Sequence, residues 1–393
     1  MLEGSDRKLA TILTLDGGGM RGVLTGCVLA ALEEEATKAA GTPQPIAGLF
    51  DLVAGTSTGG ILALALACPD EADPSRPRHR AEALVELYVK RGPAIFGSVL
   101  PGPLRVLKQL FAPKYGAAGL EATLREYLGD HRMHEAVTRV MVTSYDTARG
   151  GPYFFKSWRP PEADHAGRDW WNEDDYLLRE AARGTSAAPT YFPPFALAPL
   201  SPSEGTKSLV DGGVFANQPG VCALAEAFRL FPPDGHDHLV VSVGTGYAQR
   251  TLLYPQLRWR GALAWAGPLL EVVFDGVSEA TDYELGELLP DGAFHRFQSD
   301  SVDIALDDAS PEGIQKLLAA GNDLVDAHRA ELQELARLLV DPAVRARRVG
   351  PPARPTPRLQ VPRPAAPAAV PPLAAAARRQ GEASAPGRPG GRG

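Results

Sequence analysis

"FDLVAGTSTGG", residues 50–60, is an apolar run that stops abruptly at a serine bracketed by glycines. Leu52, Val53 and Ala54 show no polar face, as expected of a strand buried on both sides, and "ILALALA" after the turn shows none either. In such a Gly-X-Ser-X-Gly corner between strand and helix, Ser57 is strained and its hydroxyl exposed, while Gly55 and Gly59 leave room for close backbone approach. The Thr58 N–H then points toward the same spot from the helix N-terminus, where a developing oxyanion is favoured. The competing reading is that Ser57 or Thr56 merely caps the helix.

Upstream, "LTLDGGGMRG" is a second strand-to-helix turn, and Gly17, Gly19 and Gly22 fit the Gly-X-Gly-X-X-Gly spacing of dinucleotide folds. That fold needs an acid at the end of its second strand to hold a ribose. Here Asp51 stands at the start of "DLVAG", and Asp16 just before the glycines is poorly placed for a pyrophosphate. Consecutive glycines instead let several N–H groups converge on an oxyanion. Arg21 adds charge there, for the oxyanion or for a phosphate headgroup, unless it is a surface cation of the first helical turn. Downstream, "SLVDGGVFANQPG" puts Asp211 at a strand end; were its strand a neighbour of the others, Asp211 and Ser57 would share one carboxyl edge of the sheet. A carboxylate there accepts a serine proton directly if burial raises its pKa; by itself, an Asp-Gly-Gly turn is usually structural. Of the histidines, His295 in "AFHRFQ" is the candidate for a conventional triad, since the order serine, acid, histidine fits an ordinary α/β-hydrolase.

The wider chain fits this frame. Among its 393 residues, 44% are hydrophobic, enough for a sizeable core. "LATILTLD", "LFDLVAG", "TRVMVTSYD", "KSLVD" and "HLVVSVG" read as buried strands separated by helix-length segments, which predicts an α/β fold with a largely parallel sheet covered on both faces. Residues 69–135 read as a helical insertion and 312–340 as one long closing helix. From about Arg345 the composition turns to Pro, Ala, Arg and Gly, so residues 1–344 are expected to form the folded domain and 345–393 a disordered tail. That tail carries about +9, so the formal total of −7 leaves about −16 on the body. A basic tail of this kind touches anionic lipid or nucleic acid in some proteins and is a solvated terminus in more. Cys27, Cys68 and Cys222 lack metal-ligand spacing and read as buried thiols. The first residues lack a basic, then apolar, signal pattern, and no apolar stretch reaches the ~20 residues that span a bilayer, so a cytoplasmic protein with transient peripheral membrane contact is expected.

"DGGGMRG", "GTSTGG", "ARGTSAAPTYFPP" and "DGG", in this order at strand ends over residues 10–330, resemble the patatin-like phospholipases and lipid acyl hydrolases, bacterial members in particular. The resemblance implies a three-layer α/β/α fold, Ser57 as nucleophile, Asp211 as base of a Ser-Asp dyad, and Gly18 and Gly19 as oxyanion donors with Arg21 close by. It implies no metal, cofactor or catalytic histidine. The substrate implied is an acyl ester of a membrane glycerophospholipid, cleaved as by a phospholipase A through an acyl-enzyme. Some bacterial members are activated by cyclic nucleotides, an activator implied here by resemblance alone. No nucleic acid partner is expected, and a homo-oligomer is left open. For lipid access, "PAIFGSVLPGPLRVLKQLFAP" (93–113) reads as a mobile lid and "YPQLRWRGALAWAG" (254–267), with Trp259 and Trp265, as an interfacial segment; core or subunit packing is the alternative for both. Two other classes stand beside this reading: a nucleotide-binding regulatory protein using "DGGGMRG" and "VSVGTG" as phosphate loops, and a noncatalytic membrane-binding module.

Overall fold

The computed structural model describes residues 6–97, 112–158, 175–200, 205–247, 254, 258, 261–300 and 302–350. These belong to one unit, Met1–Pro357. Its frame is a sheet of β1 (Lys8–Leu15), β2 (Leu52–Gly55), β3 (Arg139–Asp146), β4 (Gly151–Lys156), β5 (Phe195–Leu197), β6 (Lys207–Asp211), β7 (His236–Val243) and β8 (Phe294–Phe297). Hydrogen-bonded neighbours run β5-β6-β3-β2-β1-β7-β8, with β4 also paired to β3. The five strands from β3 to β8 in that order are mutually parallel. β4 and β6 run antiparallel to β3, and β5 antiparallel to β6.

Strand periodicity divides the side chains between two cores. Leu9, Leu13 and Leu15 of β1, Val53 of β2, Val140 and Val142 of β3 and Val241 of β7 pack on one face. Ala10, Ile12, Leu52, Ala54, Met141 and Val240 pack on the other. Helices α1 (Gly22–Ala40), α2 (Ile46–Leu49), α3 (Thr58–Ala67), α4 (Ala81–Ile95), α5 (Ala118–Leu128) and α6 (Leu178–Thr185) contribute to the first core. On the far side, α8 (Gly220–Leu230) and α9 (Ala262–Leu288) follow a short α7 (Gly213–Ala216). The arrangement is the α/β/α sandwich expected from the alternation. α3 is buried along its whole length, which explains why its sequence has no polar face.

Two expectations change in detail. Residues 312–340 are two helices, α10 (Pro311–Ala327) and α11 (Arg329–Val340), because His328 leaves the helical conformation and its ring pairs with Glu331 Oε2 at 3.0 Å. Ser310 caps α10 by accepting the Gly313 N–H, with Pro311 in the first turn. Residues 345–350, assigned to the tail from composition, are instead seated on the body: α12 (Pro342–Arg347) leads to Arg348, whose guanidinium pairs with the buried Asp51 at 3.0 Å. The centre of the expected lid, 98–111, as well as Trp259, Arg260 and 351–393, lie outside the described residues.

Candidate active site

β2 ends at Gly55, and the chain turns through Thr56 and Ser57 into α3. Ser57 has φ 54° and ψ −121°, a conformation that costs a non-glycine residue about 1–3 kcal/mol. The corner is tight because a side chain at Gly55 would meet the Gly59 carbonyl at 2.2 Å, and one at Gly59 the Leu15 carbonyl at 2.2 Å. Thr185 Oγ1 accepts the Ser57 N–H at 2.9 Å, and Thr56 Oγ1 lies 2.7 Å from Thr143 Oγ1. The strain is thus held by bonds from α6 and β3.

Asp211 reaches this corner by a route the sequence did not indicate. β4 covers one edge of β3, so β2 and β6 share the other, end to end: Gly55 pairs with Val142 and Asp211 with Ser144. Because β6 is antiparallel, its C-terminus faces the C-terminus of β2. Serine and acid meet head to head across Thr143 rather than side by side on a parallel edge. The segment "GTSAA" ties them together, Thr185 holding the Ser57 N–H and the Ala187 carbonyl accepting the Asp211 N–H at 3.0 Å. Asp211 is fully buried; Oδ1 accepts the Gly213 N–H at 2.8 Å and Oδ2 has no geometric hydrogen-bond partner among the described residues. Burial raises its pKa from 3.8 to about 7, opposed by the Ser57 hydroxyl and the Gly213 N–H.

The glycine loop lies opposite. Gly17 is locked, its N–H on the Asn217 carbonyl at 3.0 Å and its carbonyl on Thr245 Oγ1 at 2.8 Å. The N–H groups of Gly18 and Gly19 donate to no described residue. Gly19 has φ 57°, and a side chain there would meet the Leu306 carbonyl at 2.1 Å. Gly18, Gly19, Ser57 and Thr58 line one cavity whose walls are otherwise mostly apolar, with Ile61, Ile95, Phe96, Leu120, Phe192 and Phe274 among them and Tyr88, Ser186 and Tyr191 adding hydroxyls. Including its open mouth the cavity encloses about 580 Å³, within the usual range for a small-molecule site. Beyond Phe274 and Leu306 a second, polar cleft is lined by Arg21, Asn217, Glu271 and Asp275. Burial raises Asp275 to about 6.

Of the residues singled out from sequence, Ser57, Gly18 and Gly19 line one cavity and Asp211 lies buried beside Ser57. Arg21 is buried, not a surface cation, and its guanidinium donates to the Ile304 and Gly246 carbonyls at 2.8 and 3.2 Å. It lines the polar cleft rather than the apolar cavity. His295 is on β8, with β1 and β7 between it and β2, a separation of roughly 14 Å at normal strand spacing. Its Nδ1 is 2.9 Å from Glu331 Oε1, so the triad reading fails on placement. No histidine lines the apolar cavity among the described residues. The two stretches weighed as phosphate loops, "DGGGMRG" and "VSVGTG", pack on each other: a side chain at Gly18 would meet Thr245 Oγ1 at 2.2 Å. Among the described residues, no group of three His, Cys, Asp or Glu side chains is placed to hold a metal ion.

A family model described as patatin-like phospholipase matches residues 13–220, which contain the glycine loop, the serine corner and Asp211. The chain belongs to the patatin-like phospholipase family. This patatin-like chain is 31% identical to patatin-like protein 2 of Oryza sativa subsp. indica, over 81% of this chain and 84% of that one. It is 32% identical to patatin-like protein 1 of Arabidopsis thaliana, over 78% and 76%. Among solved structures, human GIVD cytosolic phospholipase A2 overlaps with a TM-score of 0.42 and 12% identity, covering 85% of this chain and 61% of that one, too distant to add to the assignment. The protein is a hydrolase acting on lipid acyl esters.

Proposed function

We propose that the protein cleaves acyl esters of membrane glycerophospholipids through a Ser57–Asp211 dyad. The observation that carries this reading is the buried carboxyl of Asp211, held near neutrality beside a strained serine that opens on an apolar cavity. The acyl chain occupies that cavity. Ser57 Oγ bonds to the ester carbon as its proton passes to Asp211, and the oxyanion is met by the N–H groups of Gly18 and Gly19. The ester C–O bond then breaks, Asp211 returns the proton to the departing alcohol, and the lysolipid leaves. Water attacks the acyl-enzyme with Asp211 again as base, releasing the fatty acid. Arg21 holds the glycine loop from behind through its carbonyl contacts.

Contact with the bilayer is assigned to the N-terminal half of α9. Leu269 and Val272 are exposed there, while Leu270 and Phe274 of the same helix line the cavity, which puts exposed apolar side chains next to the acyl site. No helix among the described residues is long and apolar enough to cross a membrane.

The test is fatty-acid release from phosphatidylcholine vesicles, with and without a cyclic nucleotide, by the wild type and by Ser57→Ala, Asp211→Asn and His295→Ala. The dyad requires at least ~10³-fold loss in the first two variants and near-normal release by the third. Retained activity in Asp211→Asn, or an inert wild type under both conditions, overturns the reading.

A further inference from the structure

The oxyanion loop is preceded by a charge the reaction does not use. Asp16, the last residue before Gly17, is almost fully buried, and its Oδ2 accepts Arg296 Nη2 at 2.7 Å. Arg296 arrives from β8, across β7. Its Nε pairs with Asp282 of α9 at 2.9 Å and its Nη1 donates to Ser242 Oγ of β7 at 2.9 Å. Asp282 also accepts from Gln218 Nε2 at 2.6 Å and from the Tyr247 hydroxyl at 3.0 Å. One guanidinium and one carboxylate therefore join the end of β1, β7 and the loop after it, the 217–218 turn and α9.

Those are the segments that fix the loop. Asn217 holds the Gly17 N–H and Thr245 holds the Gly17 carbonyl, which leaves the next two N–H groups to face the cavity. We propose that Arg296 is a positioning residue for the oxyanion hole: through Asp16, Ser242 and Asp282 it sets the place of Gly17, and so the direction of the Gly18 and Gly19 N–H groups. The inference rests on the assignment of those two groups as oxyanion donors. Preorganised donors act only where the charge develops, and a displacement of about 1 Å costs on the order of 10²-fold. The effect belongs on kcat rather than on substrate binding, because Asp16, Ser242, Asp282 and Arg296 do not line the acyl cavity.

A buried ion pair also contributes to folding, so the test separates the two roles. Arg296→Met, Arg296→Lys and the double variant Asp16→Asn/Arg296→Met are compared with the wild type for melting temperature, kcat and KM on a soluble p-nitrophenyl ester. Arg296→Met leaves Asp16 buried without its cation and lowers both melting temperature and kcat. Removing both charges relieves that penalty, so the double variant regains most of the melting temperature. Its kcat stays down by ~30-fold or more, with KM within about threefold of the wild type. Arg296→Lys, which keeps the charge and part of the hydrogen bonding, gives an intermediate kcat near the wild-type melting temperature. Recovery of kcat together with melting temperature in the double variant overturns the proposal, as does an Arg296→Lys enzyme with full kcat. Failure of the parent reading shows elsewhere, as ester hydrolysis by Ser57→Ala.

Discussion

A buried carboxyl whose pKa is raised to about 7 favours catalysis and folding at opposite ends of the pH scale. Asp211 accepts the Ser57 proton only when ionised, so kcat/KM is expected to rise about tenfold per pH unit up to about pH 7 and then level. An acidic limb near pH 4 would show that an ordinary carboxyl, Asp211 without its shift or another group, controls the rate. For stability the sign reverses. The folded pKa lies above the usual 3.8, so the contribution is present in full below about pH 4 and is lost as pH rises through about 7. Asp211→Asn, a neutral side chain of the same shape, should therefore abolish hydrolysis yet melt a few degrees higher than the wild type at pH 8, the gain disappearing at pH 4. Thermal denaturation at the two pH values measures this. The corner itself carries a second expectation. At Gly59 an added methyl would meet the backbone carbonyl of Leu15, which has no flexible side chain to yield. Gly59→Ala is expected to cost ~1–3 kcal/mol in denaturant titration and to lower hydrolysis at least ~10²-fold by moving Ser57.

Elements were legible where a local signal existed. Continuous apolar runs located β1, β2, β3, β6 and β7, and glycine spacing located the serine corner and the oxyanion loop before any pairing was known. Strand direction was not legible: "KSLVD" is the same five residues whether β6 is parallel or antiparallel, and only its pairing with β3 makes the Asp211 end meet the Ser57 end. Arg296 was unreadable for a similar reason. "AFHRFQ" draws attention to its histidine, whereas the neighbouring arginine reaches the site through strand order, 280 residues from Asp16 in sequence. Helices show a comparable division of labour. Ile95 closes α4 and Leu120 lies on α5, and both line the acyl cavity. Ile95→Trp should shorten the space for the chain without touching Ser57. On a series of p-nitrophenyl esters from four to sixteen carbons, the loss is expected to exceed ~10-fold for long chains and to stay within about threefold for short ones. A uniform loss across the series would place the acyl chain elsewhere.

At the scale of the molecule, the sheet has a working edge and a closing edge. The serine corner and glycine loop follow the C-terminal ends of β2 and β1, while Asp51 precedes β2 at the opposite edge and is fully buried. Its carboxylate takes its ion-pair partner from the last described segment of the chain and further hydrogen bonds from β1. Arg348 Nη2 pairs with Oδ1 at 3.0 Å, the Gly350 N–H donates to the same oxygen at 3.0 Å, and the Thr11 N–H and hydroxyl take Oδ2 at 2.9 Å each. Arg347 reinforces the seat by pairing with Asp237 at 2.9 Å. Composition alone placed this strap in the tail, because arginines among prolines and glycines read as solvated until a buried partner is known. Removing one member of a buried pair leaves the other uncompensated, at a cost of ~3–5 kcal/mol. Arg348→Ala, or a stop codon after Val344, is therefore expected to destabilise the whole domain by about that amount in denaturant titration, although no residue near Ser57 has changed. Asp51→Asn in the Arg348→Ala background should recover part of the loss, since it removes the orphaned charge while keeping acceptors for Thr11. Unchanged stability in Arg348→Ala would mean that the closing edge is held without the strap. Because the strap and Ser57 lie at opposite ends of the strands, the folded fraction of Arg348→Ala should hydrolyse esters with the wild-type kcat, separating loss of fold from loss of chemistry.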